Sequence, residues 1–528
     1  MTTGPKAAPE RKPRGAAALV AAGILLSRIS GLVRGQIFAN YFGASAAADA
    51  FSAALRIPNF LQNLFGEGVL SASFIPVYAN LIARGEREEA GRVAGAVFAI
   101  LSLLTSALVL VGVLTTPLFI DVIAMGFKGE TRQLTITLVR ILFPGAGLLV
   151  MSAWCLGILN SHRRFFLSYS IGVLWNLAMI VALLAFGPRS SQNHLAAVVA
   201  WASVVGSAAQ VLAQLPSVLQ LVPHLRVHLD TQLESVRTVL RNFGPVFISR
   251  GVVQLSAYID GWLASFLPTG AVAGLAYAQT IYLLPVSLFG MSVSASELPE
   301  MSSAVGGTEE VAAYLRKRLV GGLRRIAFFV IPSAVAFIAL GDVIAGAIYL
   351  RGRFTHADAI YVWAILAGSG VGLLASTQGR LYSSAFYALK DTRTPLRFAM
   401  IRVGLTTVLG YFSAIPLPHL IGINPKWGVA GLTASAGVSG WIEFLLLRRA
   451  LANRIGRDST GAIYLMRLWG AAIAGAVIAC AIKLEIGPAH HPIVIAIATL
   501  IPFGVAYFAL ADPAQNRERL SSIIGRKR

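Results

Sequence analysis

Apolar stretches long enough to cross a bilayer recur along nearly the whole of this 528-residue chain. A membrane-crossing helix needs about 20 predominantly apolar residues, since each advances about 1.5 Å through a hydrocarbon layer about 30 Å thick. On that measure the sequence predicts about fourteen spans, at 16–42, 47–82, 92–118, 131–160, 165–187, 194–219, 240–266, 270–303, 314–348, 357–388, 395–416, 427–450, 461–484 and 490–512. The stretch GDVIAGAIYLRGRF at the end of the ninth reads either as its continuation or as a separate short dip. Only 13% of residues are charged and mean hydropathy is +0.71, whereas soluble domains carry about 25% charged residues. The fold class is therefore all-α polytopic membrane protein, and a soluble enzyme is excluded. AAALVAAGILL resembles the core of a signal peptide, but Arg28 and a continuing helical pattern follow it in place of a small-residue cleavage site. It reads as a retained first span.

The formal net charge of +21 invites a nucleic-acid reading. The basic residues, however, concentrate in alternate loops: ARGEREEAGR, SHRRF, HLRVHLDTQLESVRTVLRN, YLRKRLVGGLRR, LKDTRTPLR, LRRALANRIGRD and the tail NRERLSSIIGRKR. An even number of spans puts these loops and both termini on one side, which the positive-inside rule makes cytoplasmic. No nucleic acid is needed to explain the charge. Residues 1–15 and 513–528 read as basic cytoplasmic tails, the first of them disordered. Cys155 and Cys480 both fall in apolar segments and suit packing better than a disulfide or a metal site.

The chain also repeats itself. LFGEGVLSASFIP (64–76) is echoed by LFGMSVSASELP (288–299), each preceded by a proline, Pro58 and Pro285. ILNSHRRFFLSYS (158–170) has a positional counterpart in FYALKDTRTPLRF (386–398). Six spans separate matching points, so the two halves face the same way, related by an axis along the membrane normal. This gives two six-helix lobes, 16–219 and 240–450, joined by a cytoplasmic linker at 220–239 and followed by two extra helices within 461–512.

Charges inside the spans are the candidates for function, because each costs at least about 2.5 kcal/mol at the bilayer centre. In the first span Ser27, Gly31 and Arg34 share a face, while Arg28 points roughly 120° away from Arg34. In the second, Asp49, Arg56 and Asn63 are spaced by seven and Glu67 follows, on a helix bent near Pro58 and loosened at Gly66 and Gly68. Two arginine-bearing helices suit an anion, since a guanidinium grips phosphate bidentately. Asp49 has two readings. It neutralises Arg34 or Arg56 to hold helices together, or it lies at the outer end of a cavity and pairs with an arginine only when that end is closed. In the second half Arg250, Asp260, Arg380 and Arg402 lie within spans, Arg380 either at a cavity wall or snorkelling to the cytoplasmic surface. Glu297 and Glu300, near a cytoplasmic end, read as solvated. There is no G-x-x-x-x-G-K-[ST] loop, no H-E-x-x-H and no cluster of histidines. A transporter fits better than an enzyme.

The stretch SRISGLVRGQIFANYFGASAAADAFSAALRIPNFLQNLFGEGVLSASFIPVYA closely resembles the opening of the MurJ (MviN) family, lipid II flippases of the multidrug/oligosaccharidyl-lipid/polysaccharide exporter superfamily. RILFPGAGLLVMSAWCLGILNSHRRF, RGRFTHADA and SSAFYALKDTRTPLR extend the resemblance over most of the chain. It implies a central cationic cavity between two lobes, a C-terminal groove for a polyprenyl tail, and flipping of lipid II across a bacterial inner membrane by alternating access. Ser27, Arg28, Arg34, Asp49 and Asn59 match positions the family uses in or near that cavity. Gly35 stands where many members have an acid, Gln62 and Asn63 where an arginine is expected, and Thr280 at a cavity arginine. Arg56 and Arg250 are the replacements on offer. The resemblance implies no cofactor, with membrane potential or a monovalent ion as energy source, and as partners lipid II or a related polyprenyl-pyrophosphate glycolipid, membrane lipids and peptidoglycan-synthesis proteins. The rival readings are a flippase of another polyprenyl-linked oligosaccharide, a cation-coupled drug antiporter of the same superfamily, and a non-transporting scaffold.

Overall fold

The computed structural model describes residues 14–256, 258–303, 307–457, 461–487 and 490–511, and these residues contain helices and turns but no strand. Helices occupy every predicted span. Among the described residues, eleven are long and apolar enough to cross a membrane, from Arg87–Ile123 to Pro492–Ala511. The three predicted spans outside this set of eleven are Arg14–Phe42, the run from Ala46 to Arg84, and Glu234–Ser256 followed by Ile259–Ser265. They are the spans that carry Arg28, Arg34, Asp49, Arg56, Arg250 and Asp260. The ninth span ends at Ala339, and Gly341–Tyr349 is a separate short helix and not its continuation. The predicted linker 220–239 narrows to 222–233, because helix resumes at Glu234.

The sequence echo has a structural counterpart. In each half a π-helical stretch interrupts the helix at the repeated motif, Gln62–Leu70 in one and Val286–Met291 in the other. The glycines of the motif supply the freedom that an i→i+5 turn needs, and such bulges commonly mark working hinges. The matching hairpins agree as well. Arg163 and Lys390 are the non-glycine residues with positive φ, both 60°, among the described residues. In the second hairpin, Asp391 accepts hydrogen bonds from the backbone N–H groups of Arg393 and Thr394 and starts the next helix.

Two compact units divide the chain. One comprises the residues up to Ile37, Ala53–Asp121 and Arg132–Leu255; the other comprises Phe38–Ser52, Val122–Thr131 and everything from Ser256. Two short stretches of the first half thus group with the second unit. The hydrogen bonds give the reason. Arg353 N–H donates to Asn40 O at 2.8 Å, Tyr277 OH to Gly43 O at 2.8 Å and Gly126 N–H to Ser265 Oγ at 3.2 Å.

In the first unit the core gathers Leu64, Phe65, Phe74, Tyr78, Val93, Val97, Trp154 and Ile158, all buried. Trp154 Nε1–H is satisfied by Ala94 O at 3.2 Å, so its ring is buried without an orphaned donor. The connection 222–233 lies on Gly91 and Gly95, where any Cβ would meet the carbonyls of His224 and Arg226 at 2.5 and 1.9 Å.

In the second unit His356–Ala388 is central and packs along Gly428–Ile455. At their crossing a Cβ on Gly372 would sit 2.3 Å from Gly437 Cα. Small residues at such crossings let backbones approach where lipid offers no hydrophobic drive for helix association. Gly372→Val is expected to cost at least about 1–3 kcal/mol, because the clash is with backbone. The yield of monodisperse protein after detergent extraction should collapse, while Gly404→Ala, with open space around it, should extract normally. The last two helices dock on this unit through Lys483 Nζ–Asp342 Oδ2 at 2.5 Å and Tyr507 OH donating to Phe328 O.

Candidate functional site

On Arg14–Phe42 the face bearing Ser27, Ser30, Gly31 and Arg34 packs against Gly172–Phe186. Asn176 Nδ2 donates to Ser30 Oγ at 2.9 Å and to Ser27 O at 3.4 Å. Gly31 leaves the room for this amide, since a Cβ there would lie 3.8 Å from it. One turn on, the Arg34 guanidinium lies over the Trp175 ring, 4.7 Å from its centroid, with Nη1 3.9 Å from Met179 Sδ. Trp175 is itself fixed by its Nε1–H, which donates to Ser203 Oγ at 2.9 Å. A flat guanidinium stacked on an indole keeps its charge and fork geometry at a small entropic cost for later binding. Arg28 points elsewhere on the same helix and is exposed, as the 100° step requires.

The stripe Asp49–Arg56–Asn63 does not behave as one lining. Asp49 is 3% exposed and belongs to the second unit; Arg56 is half-buried and Asn63 exposed, both in the first. Asn59 and Gln62 are half-buried, Gln62 opening the π-helical stretch. Arg250 falls in the helix Glu234–Ser256, but its side chain lies outside the described residues, as does that of Glu67.

Asp49 itself has a well-defined role. Its Oδ2 accepts the backbone N–H of Gly270 at 2.6 Å and its Oδ1 that of Ala273 at 2.7 Å. These are the free amides at the start of Ala271–Pro285, whose N-cap Gly270 has φ 92° and no side chain to cap with. A carboxylate there satisfies two orphan donors and meets the positive end of the helix dipole. Sequence reasoning offered only an arginine as partner; a helix N-terminus more than 200 residues away in the chain is among the partners Asp49 has.

The other second-unit candidates are dispersed. Thr280 Oγ1 donates to Ala276 O one turn back on its own helix, at 3.0 Å. Asp260 is half-buried and Arg380 exposed. Glu297 corrects the sequence reading: it is 3% exposed, not solvated, because Thr308–Ala339 brings Arg318 Nε to 2.9 Å and Arg325 Nη1 to 3.3 Å of its carboxylate. Trp175, Asn176 and Glu443 were missed. An Asn and a Glu inside apolar spans (VLWNLAM, SGWIEFLL) are signals that a search led by arginines passed over. Among the described residues no three or more His, Cys, Asp or Glu side chains gather to hold a metal ion.

With this geometry in hand, comparison with known proteins is specific. The family model described as lipid II flippase MurJ matches residues 38–491. A relative from Burkholderia cenocepacia named lipid II flippase MurJ is 31% identical over 502 residues, covering 92% of this chain and 94% of that protein. One from Rhizobium meliloti, named probable lipid II flippase MurJ, is 31% identical over 483 residues, covering 89% and 86%. A solved structure of lipid II flippase MurJ in an inward closed conformation matches with TM-score 0.76 at 24% identity, over 94% of this chain and 98% of that one. An inward-facing multidrug resistance MATE transporter matches with TM-score 0.63 at 17% identity, over 83% and 98%. Both structural matches speak to fold.

Proposed function

Because the chain belongs to the lipid II flippase MurJ family, we propose that it carries lipid II across the bacterial inner membrane, from the cytoplasmic to the outer leaflet, by alternating access. Both termini lie in the cytoplasm on this reading, where the basic loops meet anionic lipid. The observation that carries it is Arg34, held on Trp175 within a span and exposing a guanidinium where hydrocarbon would otherwise demand an apolar side chain. Arg34, Arg28 and Arg56 bind the diphosphate and its sugar, Ser27 and Asn59 accept or donate to the headgroup, and Arg250 contributes from its own helix. Gln62, Asn63, Asp260, Thr280 and Arg380 supply further polar contacts. No cofactor takes part, and membrane potential or a monovalent ion drives the cycle. Peptidoglycan-synthesis proteins consume the product.

The two π-helical stretches support the alternating step. A helix with an i→i+5 turn bends at lower cost than a regular one, and both sit at the repeated motif. A second reading, a flippase of another polyprenyl-linked oligosaccharide, is favoured by one specific observation: Gln62 and Thr280 occupy positions where cavity arginines are expected, and Thr280 hydrogen-bonds its own helix. Depletion in the native bacterium, with lipid II at the outer surface measured by an impermeant probe, separates the readings. Loss of surface lipid II is expected. Unchanged surface lipid II, in cells with no substitute flippase, overturns the assignment.

A further inference from the structure

Inside the second unit, five helices bring together ionisable groups of which the reading above uses Arg380 and Asp260 but not Glu443, Arg402 or Tyr282. Glu443, in the apolar helix Gly428–Ile455, places Oε2 2.9 Å from Arg402 Nε of Arg393–Ala414. Arg380 of His356–Ala388 lies within electrostatic reach of the same carboxylate. Tyr282 of Ala271–Pro285 shares a hydrogen bond with Ser376 at 3.0 Å and lies within reach of Arg380, Arg402 and Asp260, the last on Ile259–Ser265. The charged groups facing Glu443 are thus Arg402 and Arg380, with Asp260 and Tyr282 beyond them. Two carboxylates and two guanidiniums balance, as the interior of a membrane protein requires.

This pair differs from the one at Glu297. That carboxylate is 3% exposed and engaged by two arginines, so it is closed. Glu443 is 19% exposed and Arg402 37%, with Arg402 Nε 2.9 Å from the carboxylate. A carboxylate and guanidinium left part-exposed in this way can be exchanged for another anion. When a diphosphate takes the guanidinium, the abandoned carboxylate is left in a poorly solvating region beside two new negative charges. Neutralisation by a proton is the least costly outcome.

We propose that Arg402 and Arg380 form a second anion site whose occupation is coupled to proton uptake by Glu443. The ligand is the diphosphate of a polyprenyl-linked sugar, and only that identity rests on the flippase reading. By reciprocity, protonation of Glu443 strengthens diphosphate binding as much as diphosphate binding favours protonation. Affinity therefore rises as pH falls, by at most about tenfold per pH unit for one coupled proton. The proton taken up with cargo on one side and released on the other would link flipping to the proton gradient.

The test uses the full-length protein in detergent and polyprenyl-diphospho-N-acetylglucosamine, a diphosphate diester with no other titratable group. The wild type is expected to bind more tightly from pH 8 to pH 6. Glu443→Gln should bind as tightly as the acid wild type at every pH. A Glu300→Gln variant, which alters a carboxylate paired with Arg318, should keep the wild-type slope. Dye-monitored uptake of about one proton per ligand bound by the wild type needs no variant to fold. A flat wild-type profile without proton uptake, or a wild-type slope retained in Glu443→Gln, overturns the coupling while leaving the flippase reading intact. No binding at any pH overturns both.

Discussion

Asp49→Ala is expected to weaken the protein and to abolish lipid translocation together. The substitution removes two short bonds to the amides of Gly270 and Ala273 in a site where Asp49 is 3% exposed. Leaving buried N–H groups without acceptors costs about 1–3 kcal/mol each, so the equilibrium they support shifts by roughly thirtyfold or more. Asp49→Asn retains one carbonyl acceptor but turns an amide N–H₂ toward a second donor, and should fall between. Detergent melting temperatures read the first consequence. For the second, Ser45→Cys and Thr269→Cys, made in a background lacking Cys155 and Cys480, should label faster in the Asp49→Ala protein. Melting and labelling unchanged from wild type would mean that the cap is incidental.

Arg34→Ala carries the second large effect, on transport more than on stability. Loss of the stack on Trp175 costs about 0.5–2 kcal/mol, and Gly31, Ser27 and Asn176 still pack the helix pair. A charge-assisted bond to diphosphate is worth about 1.5–3 kcal/mol, so cargo affinity should fall by about ten- to a hundredfold, and with it translocation. Arg34→Lys keeps the charge but loses the planar fork, and should recover only part of the activity. Trp175→Leu isolates the positioning role: the guanidinium remains, less well oriented, and affinity should drop severalfold. Arg34→Ala with wild-type translocation would assign Arg34 to packing alone.

Hydropathy made the eleven apolar spans legible, because a bilayer imposes length and composition on each helix separately. The same measure marked the three spans that carry Arg28, Arg34, Asp49, Arg56 and Arg250, despite those charges. The repeat itself was legible, but the π-helical stretch at each copy and the positive φ of Arg163 and Lys390 in the matching hairpins were not. Pairings were another matter. Periodicity placed Ser27, Gly31 and Arg34 on one face, but nothing in the first helix names Trp175 or Asn176 as what that face meets. Asp49 was marked by its charge, yet the amides of Gly270 and Ala273 that it accepts from leave no trace in side-chain identity. Glu297 was read from its neighbourhood near a span end; burial by Arg318 and Arg325 depends on a helix that arrives later in the chain.

The most direct measurement is translocation by the purified protein. With the chain reconstituted into vesicles carrying fluorescent lipid II in both leaflets, an impermeant quencher reads the outer leaflet alone. Protein-free vesicles should stop near half quenched. The wild type should carry quenching towards completion, while Arg34→Ala vesicles should do so about ten- to a hundredfold more slowly and Asp49→Ala vesicles should stop with the protein-free ones. Wild-type vesicles that also stop near half would contradict the account.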